Sequence, residues 1–179
     1  MDLRTQKILD ALIEAFKQLI EEKSFEDITV NELCERARTR RATFYKHFSD
    51  KYDFFQYMLG QMRIELMQEA KASASINTAQ EYLHLFVDLG LDFVEKHRKF
   101  LLALKDSSIA GQMMQTITDQ TFREQHFEYL LEDELAVQFL IGGLNQCVKW
   151  WLGNMNRATR EEVQKIMYAL VDNYADAVQ

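Results

Sequence analysis

The chain has 179 residues, of which 47% are hydrophobic, so it can bury a proper core without disulfide bonds or structural metals. Its formal net charge of −7 argues against a globally basic, histone-like nucleic-acid binder. The two cysteines, Cys34 and Cys147, lie far apart in apolar helical patterns, which argues against a disulfide framework and indicates a reducing cytoplasm. Because no segment has the pattern of a signal peptide or a membrane span, we expect a soluble, cytoplasmic protein.

The absence of proline and the presence of only six glycines favour a chain built almost wholly of helices. Apolar residues at three- and four-residue steps, among them Leu9, Leu12 and Phe16, predict a first helix over 3–22. A threonine followed three residues later by a glutamate predicts helix starts near 30, 79 and 160, because such a pair satisfies free N–H groups of a first turn. The other predicted helices cover 51–72, 98–106, 108–131 and 134–153, and a second short helix within 29–48 brings the number to about nine.

The chain is expected to divide into an N-terminal domain over 1–50 and a helical C-terminal domain over 51–179. Residues 51–72 would form the connecting helix, and the small polar run 71–77 marks an internal break. Residues 79–97 are apolar on nearly every side, which predicts a central helix surrounded by others.

Positive charge is concentrated in one short segment of this acidic chain. Between residues 36 and 51, six basic side chains face a single acidic one, Asp50. The overlapping segment 29–48 has the pattern of a capped helix, a tight connection and a second short helix, with Leu33, Phe44 and Phe48 facing inward. Arginines near the start of a short helix suit the major groove of DNA, where guanidinium groups reach guanine edges. An ordinary basic helical hairpin on a solvated face would have the same composition, so composition alone leaves both interpretations open.

The order of residues in this segment resembles the DNA-binding domain of TetR/AcrR-type regulators. The resemblance covers roughly residues 5–60. The residues that match the family pattern are Ile28-Thr-Val, Leu33 and Ala37, Arg41-Ala-Thr-Phe-Tyr-Lys-His-Phe, and Asp50-Lys51. The resemblance implies a helix-turn-helix whose recognition helix lies at about 40–46, in a homodimer that binds double-stranded operator DNA. The resemblance implies that four residues lie near base edges: Arg40, Arg41, Ala42 and Thr43. It implies that four others hold phosphates: Thr29, Tyr45, His47 and Lys51. Three more are expected beside these at the DNA: Arg38, Thr39 and Lys46.

Arg38-Thr39-Arg40 departs from the family pattern, which usually has Gly-Val-Ser at this point. The glycine commonly takes a left-handed conformation, and another residue type there carries a strain of about 1 kcal/mol. We therefore expect a remodelled turn in which Thr39 caps the recognition helix one residue early, lengthens it and changes which arginine faces the groove. The departure also leaves room for a member that has lost sequence-specific DNA binding, although the extra arginines argue against this.

The C-terminal helices are expected to form the dimer contact. Gly142-Gly143 allows two backbones to approach closely. The segment Ile141-Gly-Gly-Leu, followed by Trp150-Trp151-Leu, resembles the C-terminal pattern of a subgroup of short TetR-type proteins. The predicted interface residues are Leu140, Gly143, Trp151, Val163, Ile166, Met167 and Leu170. In the alternative interpretation, the apolar stripes of the helices at 134–153 and 160–176 simply cover the central helix.

A small-molecule effector is expected in the same domain. The candidate pocket residues are polar or aromatic side chains in apolar helices: His84, Asp88, Tyr129, Asn145 and Trp150. His84 and Asp88 have a spacing that can serve a metal, but two ligands without a third more often form a hydrogen-bonded pair, so we expect no metal. The eight methionines mildly favour an apolar or amphiphilic effector.

The predicted function is that of a TetR-type repressor released from operator DNA by this effector. The alternative is a helical ligand-binding or adaptor protein of the same shape that acts through a protein partner. We expect no enzymatic activity and no cofactor, since the sequence has no glycine-rich phosphate loop, no His-Glu-x-x-His and no serine or cysteine in a nucleophile context.

Overall fold

The computed structural model describes residues 3–71, 78–124 and 134–178, and every regular element in these ranges is a helix. In chain order the helices are α1 (Leu3–Glu22), α2 (Val30–Arg36), α3 (Arg41–Phe44), α4 (Lys51–Lys71), α5 (Ala79–Lys96), α6 (Arg98–Leu104), α7 (Ser108–Glu124), α8 (Glu134–Asn154) and α9 (Arg160–Val178). None of these described helices is long and apolar enough to cross a membrane. The predicted all-helical fold class is confirmed.

The helix starts predicted from threonine caps are confirmed. Thr29 and Thr78 each accept a hydrogen bond from the backbone of the glutamate three residues on, whose carboxylate accepts one in return from the threonine backbone. Thr159 makes the same two contacts at the start of α9. The helix predicted over 98–106 ends at Leu104, and the predicted residues 125–131 of the following helix lie outside the described residues.

The chain divides into two compact units. The first contains Met1–Met62 and Lys99–Met114, and the second contains Arg63–Arg98 and Gln115–Gln179. The segment 99–114 therefore belongs with the N-terminal helices, although it is far from them in sequence. The functional boundary between residues 50 and 51 stays a prediction.

Phe16 on α1 is the centre of the first unit's core. Its side chain is fully buried, and its ring centroid lies 5.9 Å from that of Phe25, 5.8 Å from Phe54 and 5.5 Å from Phe55. Phe100 on α6 contacts the same ring at 6.4 Å. Edge-to-face and tilted arrangements of this kind are favoured by the charge distribution of aromatic rings. One side chain thus connects α1, the loop before α2, α4 and α6.

In the second unit α5 packs against both α8 and α9. The apolar core of this unit consists of Leu83, Val87, Leu91 and Val94 from α5, Leu140, Ile141, Leu144 and Trp151 from α8, and Val163, Met167 and Val171 from α9. Within this unit α5 is therefore a central helix, as its apolar sequence predicts.

Phe16→Ala is expected to lower the free energy of unfolding by about 3–5 kcal/mol, because it removes a fully buried ring and leaves a cavity among aromatic neighbours. Leu3→Ala is the control on the same helix: Leu3 is 80% exposed, so its truncation should change the stability by less than about 0.5 kcal/mol. Urea unfolding followed by circular dichroism measures both variants. Equal losses in the two would contradict the central role of Phe16.

Candidate nucleic-acid interface

The hairpin, residues 29–48, begins with a reciprocal capping interaction at α2. The Thr29 hydroxyl donates to Glu32 Oε2 at 2.8 Å and accepts from the Glu32 backbone N–H at 3.3 Å, and the Thr29 N–H donates to the same carboxylate oxygen at 3.0 Å. Lys23 pairs with the other oxygen. These hydrogen bonds, from Lys23 first and then Thr29, lower the pKa of Glu32 to about 2. The polar groups of Thr29 are thus engaged in starting α2.

α2 ends in a Schellman turn with a non-glycine residue in the left-handed position. The Thr39 N–H donates to the Cys34 carbonyl at 2.9 Å, and the Arg38 N–H donates to the Glu35 carbonyl at 3.1 Å, which is the bond pair that defines this turn. Arg38 has a φ of 49°. Glycine is the usual residue here, because a Cβ in this conformation costs about 1 kcal/mol or more. The left-handed conformation expected of Arg38 is confirmed.

The cap predicted for the recognition helix is wrong. Arg40 is the N-cap of α3, with an extended backbone (φ −84°, ψ 141°) and no capping hydrogen bond from its side chain. Thr39 does not take this position, because the first hydrogen bonds of α3, from the Thr43 N–H at 2.8 Å and the Phe44 N–H at 3.2 Å, go to the Arg40 carbonyl. α3 covers only Arg41–Phe44, so it is shorter than the range 40–46 predicted for a recognition helix.

Two phenylalanines anchor the second half of the hairpin. Phe44 and Phe48 are buried, with ring centroids 5.4 Å apart, and the Phe44 ring lies 6.0 Å from that of Phe54 on α4. Of the residues predicted to contact DNA, Arg38, Arg40, Arg41, Ala42, Tyr45, Lys46 and His47 are exposed, whereas Thr39 and Thr43 are half-buried. The inward and outward positions predicted for this segment are thus largely observed.

Three exposed arginines of the hairpin carry uncompensated charge. We call Arg38, Arg40 and Arg41 the arginine triad; no carboxylate in the described part of the chain pairs with any of them. Arg36, at the end of α2, instead forms two parallel contacts with the Glu22 carboxylate, one of them at 2.8 Å. The charge of Arg36 is therefore neutralised within the chain, whereas the guanidinium groups of the arginine triad remain available to an external anion.

Lys51 makes contacts within the chain that differ from the phosphate contact predicted for it. Its ammonium donates to the backbone carbonyls of Phe25 at 3.0 Å, Ile28 at 2.9 Å and Glu26. It also lies 5.3 Å from the centre of the Phe25 ring. All three N–H groups of the ammonium are used within the chain, and its partial burial lowers the pKa of Lys51. An ammonium contact with a phosphate would require these bonds to break. The sequence holds no signal for this arrangement, since the carbonyls come from a distant loop.

The five residues predicted to line an effector pocket have different surroundings. His84 Nε2 lies 2.7 Å from a carboxylate oxygen of Asp172, and Asp88 accepts a 2.7 Å hydrogen bond from the Tyr168 hydroxyl, so both join α5 to α9. No group of metal ligands occurs among the described residues. Trp150 is 48% exposed, which places it on the surface of the chain rather than in a pocket. Asn145 is half-buried with a buried Nδ2 that has no partner in the described part of the chain, and Tyr129 lies outside it.

Four residues predicted at the dimer interface are covered within the chain itself. Leu140, Trp151, Val163 and Met167 are all at most 6% exposed. α8 and α9 pack against α5 and against each other, so these positions form the core of the second unit. The prediction of a dimer interface is therefore corrected for these four residues. They cover the central helix, as the alternative interpretation has it.

The other predicted interface residues lie on the surface. Ile166 is 60% exposed, Leu170 is 52% exposed, and Gly143 is also exposed. Sequence analysis missed Leu135 and Phe139, each 78% exposed. The available signal was their spacing, because Leu135, Phe139 and Gly143 follow one another at the four-residue step of a single helix face.

Comparison with known proteins identifies the hairpin region. Residues 12–58 match the model for bacterial regulatory proteins of the tetR family. A curated relative from Haemophilus influenzae, an uncharacterized HTH-type transcriptional regulator, is 30% identical over 139 residues, which cover 75% of this chain and 64% of the relative. YxbF of Bacillus subtilis, with the same description, is 30% identical over 78 residues, which cover 43% of this chain and 20% of the relative. The chain thus spans less than two thirds of the length of both curated relatives.

Solved structures share the whole fold at low sequence identity. The TetR transcriptional regulator from Streptococcus agalactiae 2603V superposes with a TM-score of 0.68 at 20% identity, covering 94% of this chain and 95% of that one. FadR from Bacillus subtilis, solved in complex with stearoyl-CoA, has a TM-score of 0.60 at 17% identity, covering 97% and 99%. The fold is therefore that of an all-helical protein with an N-terminal helix-turn-helix and a larger helical C-terminal domain. Residues 12–58 are thus similar to the tetR family of bacterial regulatory proteins, and the rest of the chain shares the fold of solved TetR-type regulators.

Arg38→Gly is expected to raise the free energy of unfolding by about 1 kcal/mol relative to Arg38→Ala, because only glycine takes the left-handed backbone without a steric cost. Both variants lack the guanidinium group, so their difference isolates the backbone effect. Denaturant unfolding measures it. Equal stability of the two variants would show that the turn is not strained at this residue.

Proposed function

We propose that this protein is a homodimeric transcriptional repressor that binds double-stranded operator DNA through the hairpin and is released from it by a small-molecule effector. The observation that carries the proposal is the arginine triad, which presents three exposed guanidinium groups that have no carboxylate partner among the described residues. The similarity of residues 12–58 to the tetR family of bacterial regulatory proteins, and of the chain to an HTH-type transcriptional regulator, supports it.

The distribution of charge supports an oriented approach to DNA. The chain as a whole has a net charge of −7, which repels a polyanion, whereas the arginine triad attracts one. We assign Arg40, Arg41, Ala42 and Thr43 to base edges and Arg38, Tyr45, Lys46 and His47 to phosphates. Thr29 and Lys51, whose polar groups are bound within the chain, would act by holding the hairpin in place.

The exposed apolar side chains of α8 and α9 support dimerisation. We call Leu135, Phe139, Trp150, Ile166 and Leu170, with Gly142 and Gly143, the apolar face. A Cβ placed on either glycine would meet nothing within 4 Å, so a second helix has room for close approach. Large apolar side chains exposed on two packed helices favour a partner, and a second copy satisfies the symmetry of paired half-sites about one DNA turn apart.

Effector release is proposed as a population shift between two separations of the recognition helices. FadR from Bacillus subtilis was solved with stearoyl-CoA, and a ligand of amphiphilic character is compatible with the methionine-rich composition of this chain. The second candidate is an adaptor that acts through a protein partner. It is favoured by one observation, the strained Arg38 at a position where the family pattern has glycine.

A titration of DNA binding tests the proposal and separates these candidates. Fluorescence anisotropy with a duplex from upstream of the protein's own gene, at several salt concentrations, should show selective binding whose logarithm falls with log salt by about 0.9 per phosphate contacted. Arg41→Ala should weaken binding by about 1–3 kcal/mol and relax base preference, because a guanidinium at a base edge is lost.

Arg36→Ala is the matched control, since it removes one positive charge from the same hairpin but from a guanidinium paired with Glu22. It should weaken binding less than Arg41→Ala does. Weak binding without preference over a random duplex would favour the adaptor, and equal effects of the two variants would contradict the assigned groove contact.

Ile166→Glu is expected to convert the dimer into monomers, because it places a charge in the centre of the proposed apolar contact. Ile64→Glu is the control, as Ile64 is an isoleucine of α4 with 48% exposure, against 60% for Ile166. Sedimentation velocity gives the mass of each variant. A wild-type monomer, or a dimer that survives Ile166→Glu, would exclude this face as the contact.

A further inference from the structure

The loop between α1 and α2 receives a hydrogen bond from a distant part of the same unit. The Ser107 hydroxyl, in the turn between α6 and α7, donates to Glu26 Oε1 at 2.7 Å. The same hydroxyl oxygen accepts from the Ala110 N–H at 3.1 Å, so it also caps α7. Ser107 is the one polar residue among the buried residues of the described chain, at 9% exposure. Since a buried hydroxyl without a partner is costly, this contact is strongly favoured once the turn is docked.

Glu26 is also held through its backbone. Its carbonyl is one of the three that bind the Lys51 ammonium, and the carbonyls of Phe25 and Ile28 on either side are the others. The Phe25 ring packs on that of Phe55 with 4.8 Å between centroids. Lys51 and Phe55 therefore hold the main chain of the loop from α4, while the Glu26 carboxylate is held by Ser107.

This loop determines where α2 begins. Ile28 is followed directly by Thr29, the N-cap of α2, and α2 carries the turn with the arginine triad. α2 has seven residues and α3 has four, so neither helix is stable by itself and the hairpin takes its orientation from what it is attached to. A change at Glu26 is thus only a few residues away from the start of the DNA-binding element.

We propose that Ser107 and Glu26 are positioning residues for DNA binding: their hydrogen bond fixes the loop before α2 and, through it, the orientation of the hairpin on DNA. The inference rests on the proposed DNA-binding function. It gives the segment 99–114 an influence on operator affinity without any contact between Ser107 and DNA.

The charge of Glu26 makes the inference testable by sign. A carboxylate on an exposed loop of the DNA-binding unit repels phosphates, so its neutralisation should by itself strengthen binding. Loss of a positioning hydrogen bond should weaken binding. Glu26→Gln and Glu26→Ala lose the same charge, but only Gln keeps a side-chain carbonyl that can accept from the Ser107 hydroxyl.

The first experiment compares these two variants with the wild-type protein by anisotropy on the same duplex across a salt series. Glu26→Gln should bind as tightly as wild type or more tightly. Glu26→Ala should bind roughly three- to tenfold more weakly than Glu26→Gln, with a shallower salt dependence, because fewer phosphates are contacted at once. A merely structural role would lower the thermal midpoint and the active fraction but leave the salt dependence of the folded protein unchanged.

The second experiment approaches the contact from Ser107. Ser107→Ala should weaken binding at least as much as Glu26→Ala does, because it loses the same hydrogen bond and keeps the repelling carboxylate. Ser107→Thr should restore binding because the hydroxyl is kept, and the Ser107→Ala/Glu26→Ala double variant should bind like Glu26→Ala alone. Ser108→Ala is the control, since Ser108 is an exposed serine one residue further on.

The outcomes separate the inference from the function on which it rests. If the wild-type protein does not bind DNA selectively, the proposed function fails first. If the wild type binds and Glu26→Ala equals Glu26→Gln in affinity and salt dependence, or if the Ser107 and Glu26 effects add independently, the positioning role is overturned.

Discussion

The packing of aromatic rings around Phe16 is the interaction on which the rest of the N-terminal unit depends. The ring is fully buried and contacts residues from the loop before α2, from α4 and from α6. α2 and α3 are too short to persist as isolated helices. Their geometry is therefore inherited from this cluster, through Phe25 on one side of the hairpin and through Phe44 and Phe54 on the other.

Cations in this unit fall into two groups that differ in their partners. Arg36 pairs with Glu22, and Lys51 binds three carbonyls, so their charges stabilise the scaffold. The arginine triad has no such partner in the described chain. A side chain already satisfied within the protein loses those bonds if it turns to an external anion, whereas an exposed guanidinium loses only water. The side chains that stabilise the scaffold are therefore different from those that are available to an external anion, although all belong to the same small unit.

Prediction from sequence succeeded where structure follows from neighbouring residues. The first helix over 3–22 and the capped starts near 30, 79 and 160 follow from periodicity and from side chains within one turn, and all are observed. The left-handed conformation of Arg38 was expected from the glycine that the family pattern has at this point. The N-cap of α3 was misassigned because Thr39 is still the last residue of the Schellman turn, and the first hydrogen bonds of α3 go to the Arg40 carbonyl. A threonine at a plausible cap position does not reveal this.

Apolar stripes predicted which helices pack but not which of their faces stay exposed. α8 is apolar on more than one face, so Leu140 and Trp151 on the buried side and Phe139 and Trp150 on the exposed side have similar sequence surroundings. Only the placement of α5 and α9 distinguishes them. The same applies to His84 and Asp88, whose partners on α9 are 80 or more residues away in sequence.

The amino-acid sequence by itself determined the helical class, most helix boundaries and the cationic hairpin, because these depend on propensities, caps and charges within a few residues. The tertiary structure alone decided that Lys51 holds a loop, that Ser107 meets Glu26, and that part of the expected interface is core. Each of these depends on groups brought together from more than twenty residues apart, and such encounters are set by the packing of whole helices.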